Sequence, residues 1–214
     1  LHPVAHSFPT RRSSDLKTVA RRIGARLAIT VHDVVVGKRF GDLNNHAKFA
    51  GNIEHWMCRE ADILICVSRD TRAEVIRTYG ADPAKAYAIH NAVSEGNFPE
   101  VDPDELHYFR EALAQPDEKL ILYVGRLDRE KGVDVLLKAF AQVVKKYPRA
   151  RLAIVGKGEL EDVLREEAKK LGVTQVFFGN YVASPVLNWV YRSADIHVMP
   201  SLYEPFGIVA LEGM

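Results

Sequence analysis

Seven short apolar runs, with room for a helix between most of them, constrain this chain more than any other feature. They are LAITV (27–31), ILICV (63–67), AYAIH (86–90), LILYV (120–124), RLAIV (151–155), QVFF (175–178) and IHVM (196–199). Several are continuous rather than alternating in polarity, which suits strands covered on both faces of a parallel sheet. Parallel neighbours need long crossovers, and the intervening sequence supplies amphipathic helices. In GVDVLLKAFAQVVKKYP, Val133, Leu136, Leu137, Phe140, Val143, Val144 and Tyr147 share a stripe at three- and four-residue spacing, and Pro148 stops the helix. ELEDVLREEAKKLG repeats the design with Leu160, Val163, Leu164, Ala168 and Leu171, acids early, lysines late, and Gly172 as the cap. The alternation predicts right-handed crossovers and a doubly wound α/β fold.

Two segments interrupt it. NAVSEGNFPEVDPDEL (91–106) is rich in Pro, Gly and acids and offers little to bury, so it reads as a linker, followed by a helix capped by Asp102 or Asp104. LHPVAHSFPTRRSSDL (1–16) has no periodicity and no signal-peptide core, and reads as a non-native or disordered tail. The expected organisation is therefore a tail over 1–16, a first α/β domain over 17–95 and a second over 96–214.

Composition matters here for what it excludes. A net charge of +1 gives no electrostatic reason to expect nucleic acid or an anionic membrane surface. No apolar run approaches the roughly 18 residues of a membrane span. Cys58 and Cys66 are the only cysteines, too few for a disulfide scaffold, which fits a reducing cytoplasm.

Doubly wound sheets bind ligands beyond the carboxyl ends of their strands, so the residues following each run matter most. After 120–124 comes GRLDREKG, in which Gly125 permits a tight turn and Arg126 and Lys131 supply two cations suited to a diphosphate. Taken by itself, such a pair is more often solvated surface charge. After 151–155 comes GKGELE, where Gly156 either lets the backbone approach a phosphate or simply makes a short turn; no G-x-G-x-x-G and no P-loop is present. After 175–178, Tyr181 and Val182 are placed to flank a base, and Ser184 before Pro185 is placed to cap a helix. The last run leads into PSLYEPFGIVALEGM. There Glu204 precedes a predicted helix start at Pro205-Phe206-Gly207, and Glu212 lies roughly 8 Å further along the axis. An acid on each side of an anion-binding helix start suits a sugar nucleotide, with phosphates in the middle and hydroxyls at both ends. A dipole-complementing Glu and a surface Glu form the bland alternative.

GRLDREKG followed by EPFGIVALE resembles the donor-binding signature of retaining glycosyltransferases of family 4, whose E-x7-E motif corresponds to Glu204 and Glu212. The resemblance covers residues 25–214 and implies a GT-B fold of two Rossmann-like domains, both incomplete here. It assigns Arg126 and Lys131 to the donor diphosphate and Glu204 to hydroxyls of the donor sugar. The Phe206, Gly207 and Ile208 backbone would lie near the phosphate or sugar ring, and Glu212 at the ribose. It places an active-site His at His32 and implies no metal and no cofactor beyond the nucleotide diphosphate sugar itself. HDVVVGKRFG and NIEHWMCREADILICVS resemble the bacterial glycogen synthase and maltose-1-phosphate synthase branch, where Gly37 and Lys38 would sit near the sugar. The same branch implies ADP-glucose or UDP-glucose as donor and an α-1,4-glucan as acceptor. Two alternatives stay open: a family 4 mannosyl- or hexosyltransferase of surface polysaccharide or glycolipid, and a non-catalytic nucleotide-sugar-binding fragment. A dehydrogenase is disfavoured by the missing glycine fingerprint. Asn91-Ala92-Val93 departs from the family's N-G-V, so a left-handed turn at position 92 is not expected.

Overall fold

A computed structural model describes residues 12–35, 45–94, 96, 98–183 and 185–214. Gly37, Lys38 and Ser184, and the functions proposed for them, lie outside these residues. The chain divides into two compact units, one up to Asn91 and the other Ala92–Met214. The division falls a few residues before the boundary read from the linker.

In the first unit the order is α1 (Arg12–Arg22), β1 (Ala28–Val31), α2 (Asn45–Glu60), β2 (Ile63–Cys66), α3 (Arg69–Tyr79) and β3 (Ala86–Ala88). The strands form a parallel sheet in the order β1-β2-β3. Leu64 and Cys66 on β2, Val75 and Tyr79 on α3, and Cys58 on α2 share one buried cluster. Ser68 caps α3 by accepting the Thr71 N–H, and left-handed Gly80 ends it. Residues 12–16, expected to be part of a disordered tail, are helical as the start of α1. That helix is tied down from its next residue, since Lys17 Nζ donates to the Glu60 carbonyl and to Asp62 Oδ1.

The second unit runs α4 (Pro103–Glu111), β4 (Lys119–Val124), α5 (Val133–Lys146), β5 (Ala150–Val155), α6 (Glu161–Lys170), β6 (Val176–Gly179), α7 (Val186–Ser193), β7 (Ile196–His197) and α8 (Ile208–Glu212). Asp102, followed by Pro103, is the cap of α4, accepting the N–H groups of Asp104 and Glu105. All pairings are parallel and the order is β6-β5-β4-β7. Alternate residues of the central strands serve opposite faces. Leu152 and Ile154 join Leu136, Leu137 and Phe140 of α5 and Leu164 of α6. Leu120, Leu122, Ala153 and Val155 join Val190 of α7 and Phe109 of α4. Continuous apolar runs are thus what a sheet sandwiched by helices requires. Each fully buried leucine contributes about 1.5–3 kcal/mol.

The stripes are narrower than their spacing predicts. Tyr147 and Val163, both expected inside, are 67% and 62% exposed. Tyr147 lies beyond the last residue of α5, where the helical register no longer applies. Val163 sits about 100° around the helix from buried Leu164, which carries it off the sheet. No non-glycine residue among those described has a positive φ, so Ala92 does not reproduce the left-handed turn of N-G-V.

Candidate active site at the switch point

The second sheet reverses direction at β4: β5 and β6 build outward on one side, and β7 returns to the other. In such sheets the crevice between the two divergent strands, at their carboxyl ends, receives the ligand. Here the loops leaving those two strands are the ones that carry GRLDREKG and PSLYEPFG.

Main-chain contacts hold the loops together. Residues 129–131 form a 3₁₀ turn ending at left-handed Gly132 (φ 63°), after which α5 begins. A Cβ at Gly132 would lie 2.3 Å from the Pro200 carbonyl oxygen, so glycine is needed both for the conformation and for the approach. The Leu202 N–H donates to the Glu130 carbonyl at 2.8 Å. Across this seam Lys131 Nζ meets Glu204 Oε2 at 2.7 Å, with side chains only 18% and 21% exposed. Ser201 Oγ donates to the same Oε2 at 2.9 Å. Left-handed Gly207 (φ 81°) packs on the stem of Glu204 and starts α8.

Arg126 is 61% exposed, and its guanidinium pairs with Asp128 and Glu130. Its carbonyl accepts the Tyr123 hydroxyl at 2.7 Å. Burial first, and then the nearby Asp128 and Glu204 carboxylates, push that phenol well above its ordinary range, so it stays a neutral donor. Gly156 and Gly158 stack on the same loop: a Cβ at Gly156 would meet the Gly125 carbonyl oxygen, and one at Gly158 the Leu127 backbone. Leu127 N–H donates to the Lys157 carbonyl at 2.9 Å, and Leu160 N–H to the Leu127 carbonyl at 3.0 Å. Close loop-on-loop packing accounts for both glycines of GKG.

The structure therefore brings Lys131, Glu204 and Gly207 together across the seam between the two loops, with Arg126 on the β4 loop paired to Asp128 and Glu130, and Gly156 packed on that same loop. It sets Glu212 apart, against α7: the Tyr191 hydroxyl donates to Glu212 Oε2 at 2.8 Å. Burial, with this carboxylate adding to it, raises the Tyr191 pKa. Tyr191 also packs edge-on to His197 with ring centroids 5.4 Å apart, and His197 Nε2 is buried without a hydrogen-bond partner among the described residues. Burial lowers the His197 pKa, an effect that Glu212 partly offsets. Glu212 lines a groove of about 600 Å³ with Phe98, Tyr191, Arg192 and Leu211. Tyr181 is 71% exposed beyond β6, whereas Val182 packs against the α4–α7 face of the sheet. Phe206 is half-buried and Ile208 exposed. His32 follows β1 in the first unit and is exposed.

Sequence reasoning passed over Ser201, Tyr123, Asp128 and Glu130. The signal for Ser201 was available: a hydroxyl three residues before a loop glutamate is placed to bond it locally. Nothing local marks Tyr191, whose partner lies 21 residues on.

The fold is that of the GT-B glycosyltransferases. The chain belongs to the glycosyl transferases group 1 family, whose model matches residues 104–214, while a Glycosyltransferase Family 4 model matches residues 6–96. An uncharacterized glycosyltransferase of Methanocaldococcus jannaschii is 34% identical over 86% of the chain and 48% of its own length. The glycogen synthase of Mycobacterium tuberculosis is 32% identical over 86% of the chain and 42% of its own length. Anabaena HepE, solved in complex with UDP and glucose, superposes with a TM-score of 0.79 at 19% identity, covering 95% of this chain and 54% of that one. Sucrose-phosphate synthase from Thermosynechococcus elongatus gives 0.73 at 25% identity, covering 92% and 51%. The chain spans about half the length of the curated relatives it matches. No helix among the described residues is long and apolar enough to cross a membrane.

Proposed function

We propose that this chain forms the donor-binding part of a retaining glycosyltransferase that moves a hexosyl unit, glucose in the first instance, from a nucleotide diphosphate sugar to an acceptor hydroxyl. The observation that carries the reading is the Lys131–Glu204 pair at the β4/β7 switch point, with Arg126 on the same loop as Lys131. Two cations there suit a diphosphate, and a largely withdrawn carboxylate beside them suits sugar hydroxyls. Arg126, Lys131 and Glu204 are the residues to which the reaction is assigned, with His32 at the acceptor side. Glu212 takes the ribose, which requires exchange of its Tyr191 bond for a ribose hydroxyl, and exposed Tyr181 borders the base.

In the reaction, the bond from the anomeric carbon to the diphosphate oxygen breaks and a bond to the acceptor oxygen forms on the same face. The acceptor proton passes to the departing diphosphate. Negative charge grows on that diphosphate as the bond lengthens, so Arg126 and Lys131 act more strongly in the transition state than in the ground state. Charge compensation is assigned to these side chains, without a metal ion. The buried free thiols of Cys58 and Cys66 fit a reducing compartment, in keeping with the cytoplasm.

The similarity to glycogen synthase supports ADP-glucose or UDP-glucose as donor and an α-1,4-glucan as acceptor. A phosphorylated polyol acceptor is the second reading: a D-inositol 3-phosphate glycosyltransferase of Catenulispora acidiphila is 34% identical over 71% of the chain. Calorimetry with both sugar nucleotides, followed by a release assay with glycogen or inositol 3-phosphate, tests the proposal. Glucan-dependent release of the nucleoside diphosphate supports the first reading. Binding without transfer to either acceptor would leave a nucleotide-sugar-binding segment only.

A further inference from the structure

We propose that Ser201 is a positioning residue for the donor sugar, acting through Glu204; the inference rests on the reading that Glu204 meets the sugar hydroxyls. Two donors of different kinds converge on one carboxylate oxygen, Lys131 Nζ at 2.7 Å and Ser201 Oγ at 2.9 Å, both to Glu204 Oε2. Among the described residues Oε1 receives no donor. A carboxylate held by a single contact swings about its terminal torsion, which is broad for Glu. Two donors on the same oxygen fix that torsion and leave Oε1 as the acceptor for a hydroxyl of the ligand.

Ser201 is itself placed by the main chain. Gly132 brings its backbone against the Pro200 carbonyl, so the peptide that carries Ser201 is seated on the 3₁₀ turn that carries Lys131. On the other side Gly207 packs against Glu204 Cγ and Met199. The hydroxyl, the ammonium and the carboxylate are therefore set by one seam, and small residues at its edges allow it to close.

The test compares the sugar with the nucleotide alone. Calorimetry on the whole chain uses whichever of UDP-glucose and ADP-glucose the unsubstituted protein binds, together with the matching nucleoside diphosphate. Ser201→Ala is expected to raise the sugar-nucleotide Kd about ten-fold, in line with loss of a hydrogen bond to a charged group, while the diphosphate Kd stays within about two-fold. Ser201→Thr, which keeps the hydroxyl, is expected to restore sugar-nucleotide binding. Glu204→Gln is the control for the underlying reading and is expected to weaken the sugar nucleotide selectively as well. If Glu204→Gln shows that loss and Ser201→Ala does not, the positioning role is wrong. Equal weakening of both ligands by Ser201→Ala, unrescued by threonine, overturns it too, because that is what a loosened loop would do. If Glu204→Gln leaves the sugar nucleotide unaffected, or the unsubstituted chain binds neither ligand, the reading of Glu204 falls first and takes this inference with it.

Discussion

Lys131 and Glu204, 73 residues apart, meet at 2.7 Å and join the first βα loop of the second unit to its last. Both side chains are four-fifths withdrawn from water, so removing one leaves the other charged and poorly solvated. Lys131→Met and Glu204→Gln are each expected to cost about 1–3 kcal/mol. The double variant should cost less than their sum, with a coupling of about 1–2 kcal/mol in a denaturation double-mutant cycle. Additive losses would show that the two side chains do not support one another.

Arg126 should behave in the opposite way. Its side chain is mostly exposed, so Arg126→Ala is expected to change stability by less than about 0.5 kcal/mol. Binding of UDP or ADP should nevertheless fall at least about ten-fold, because a guanidinium–phosphate fork is lost. Asp128→Asn should tighten the same binding, since Asp128 competes for that guanidinium. Calorimetry at two salt concentrations reads both effects, and an Arg126→Ala variant that binds like the unsubstituted chain removes Arg126 from the site.

Gly132 and Gly172 make a matched pair. Their φ values are 63° and 68°, but an added Cβ meets the Pro200 carbonyl at the first and nothing within 4 Å at the second. Gly172→Ala should therefore show backbone strain alone, about 1–2 kcal/mol. Gly132→Ala should exceed that and also weaken sugar-nucleotide binding, since it pushes Pro200, and with it Ser201, off the 3₁₀ turn. Equal destabilisation by the two variants would mean that the seam yields freely.

Asp195 should set an acid limit. Its partial burial works against ionisation, but Lys119 Nζ, the Leu120 N–H and the Arg110 guanidinium outweigh that and hold its pKa down at about 2. A depressed carboxyl contributes stability above its unfolded value of about 3.9 and loses it as pH falls through the folded value. The loss, on the order of 1–2 kcal/mol after allowing for exposure, should fall between about pH 4 and pH 2. Asp195→Asn should flatten that limb of a stability–pH profile; an unchanged limb would assign it to other acids.

The strands were legible because each is a local apolar run, and every one of the seven forms within a residue or two of its predicted place. The loops after β4 and β7 were legible as motifs, since Arg126, Lys131, Glu204 and Glu212 stand at fixed spacings. Their contacts were not. Sequence places Lys131 and Glu204 on separate loops, and only the return of β7 beside β4 makes them neighbours. Glu212 shows the same limit: its spacing from Glu204 gives no sign that Tyr191 bonds it. Val163 failed for a simpler reason, because a stripe at helical spacing does not show how wide a face the sheet covers, and Tyr147 failed because the helix ends before it.

Gly156 and Gly158 lie where loops rest peptide on peptide, against the main chain of Gly125 and Leu127, with no thickness left for side chains. A floor built this way offers a ligand only amide and carbonyl groups, and those are alike whatever the amino acid. It can register that a phosphate or a ring has arrived, but it has few means of asking which base or sugar is attached. If the proposed donor site holds the ligand, discrimination must then come from side chains around that floor, such as Tyr181 and Glu204. On that reading, exchanging those side chains while leaving the floor intact would be the route to a different donor.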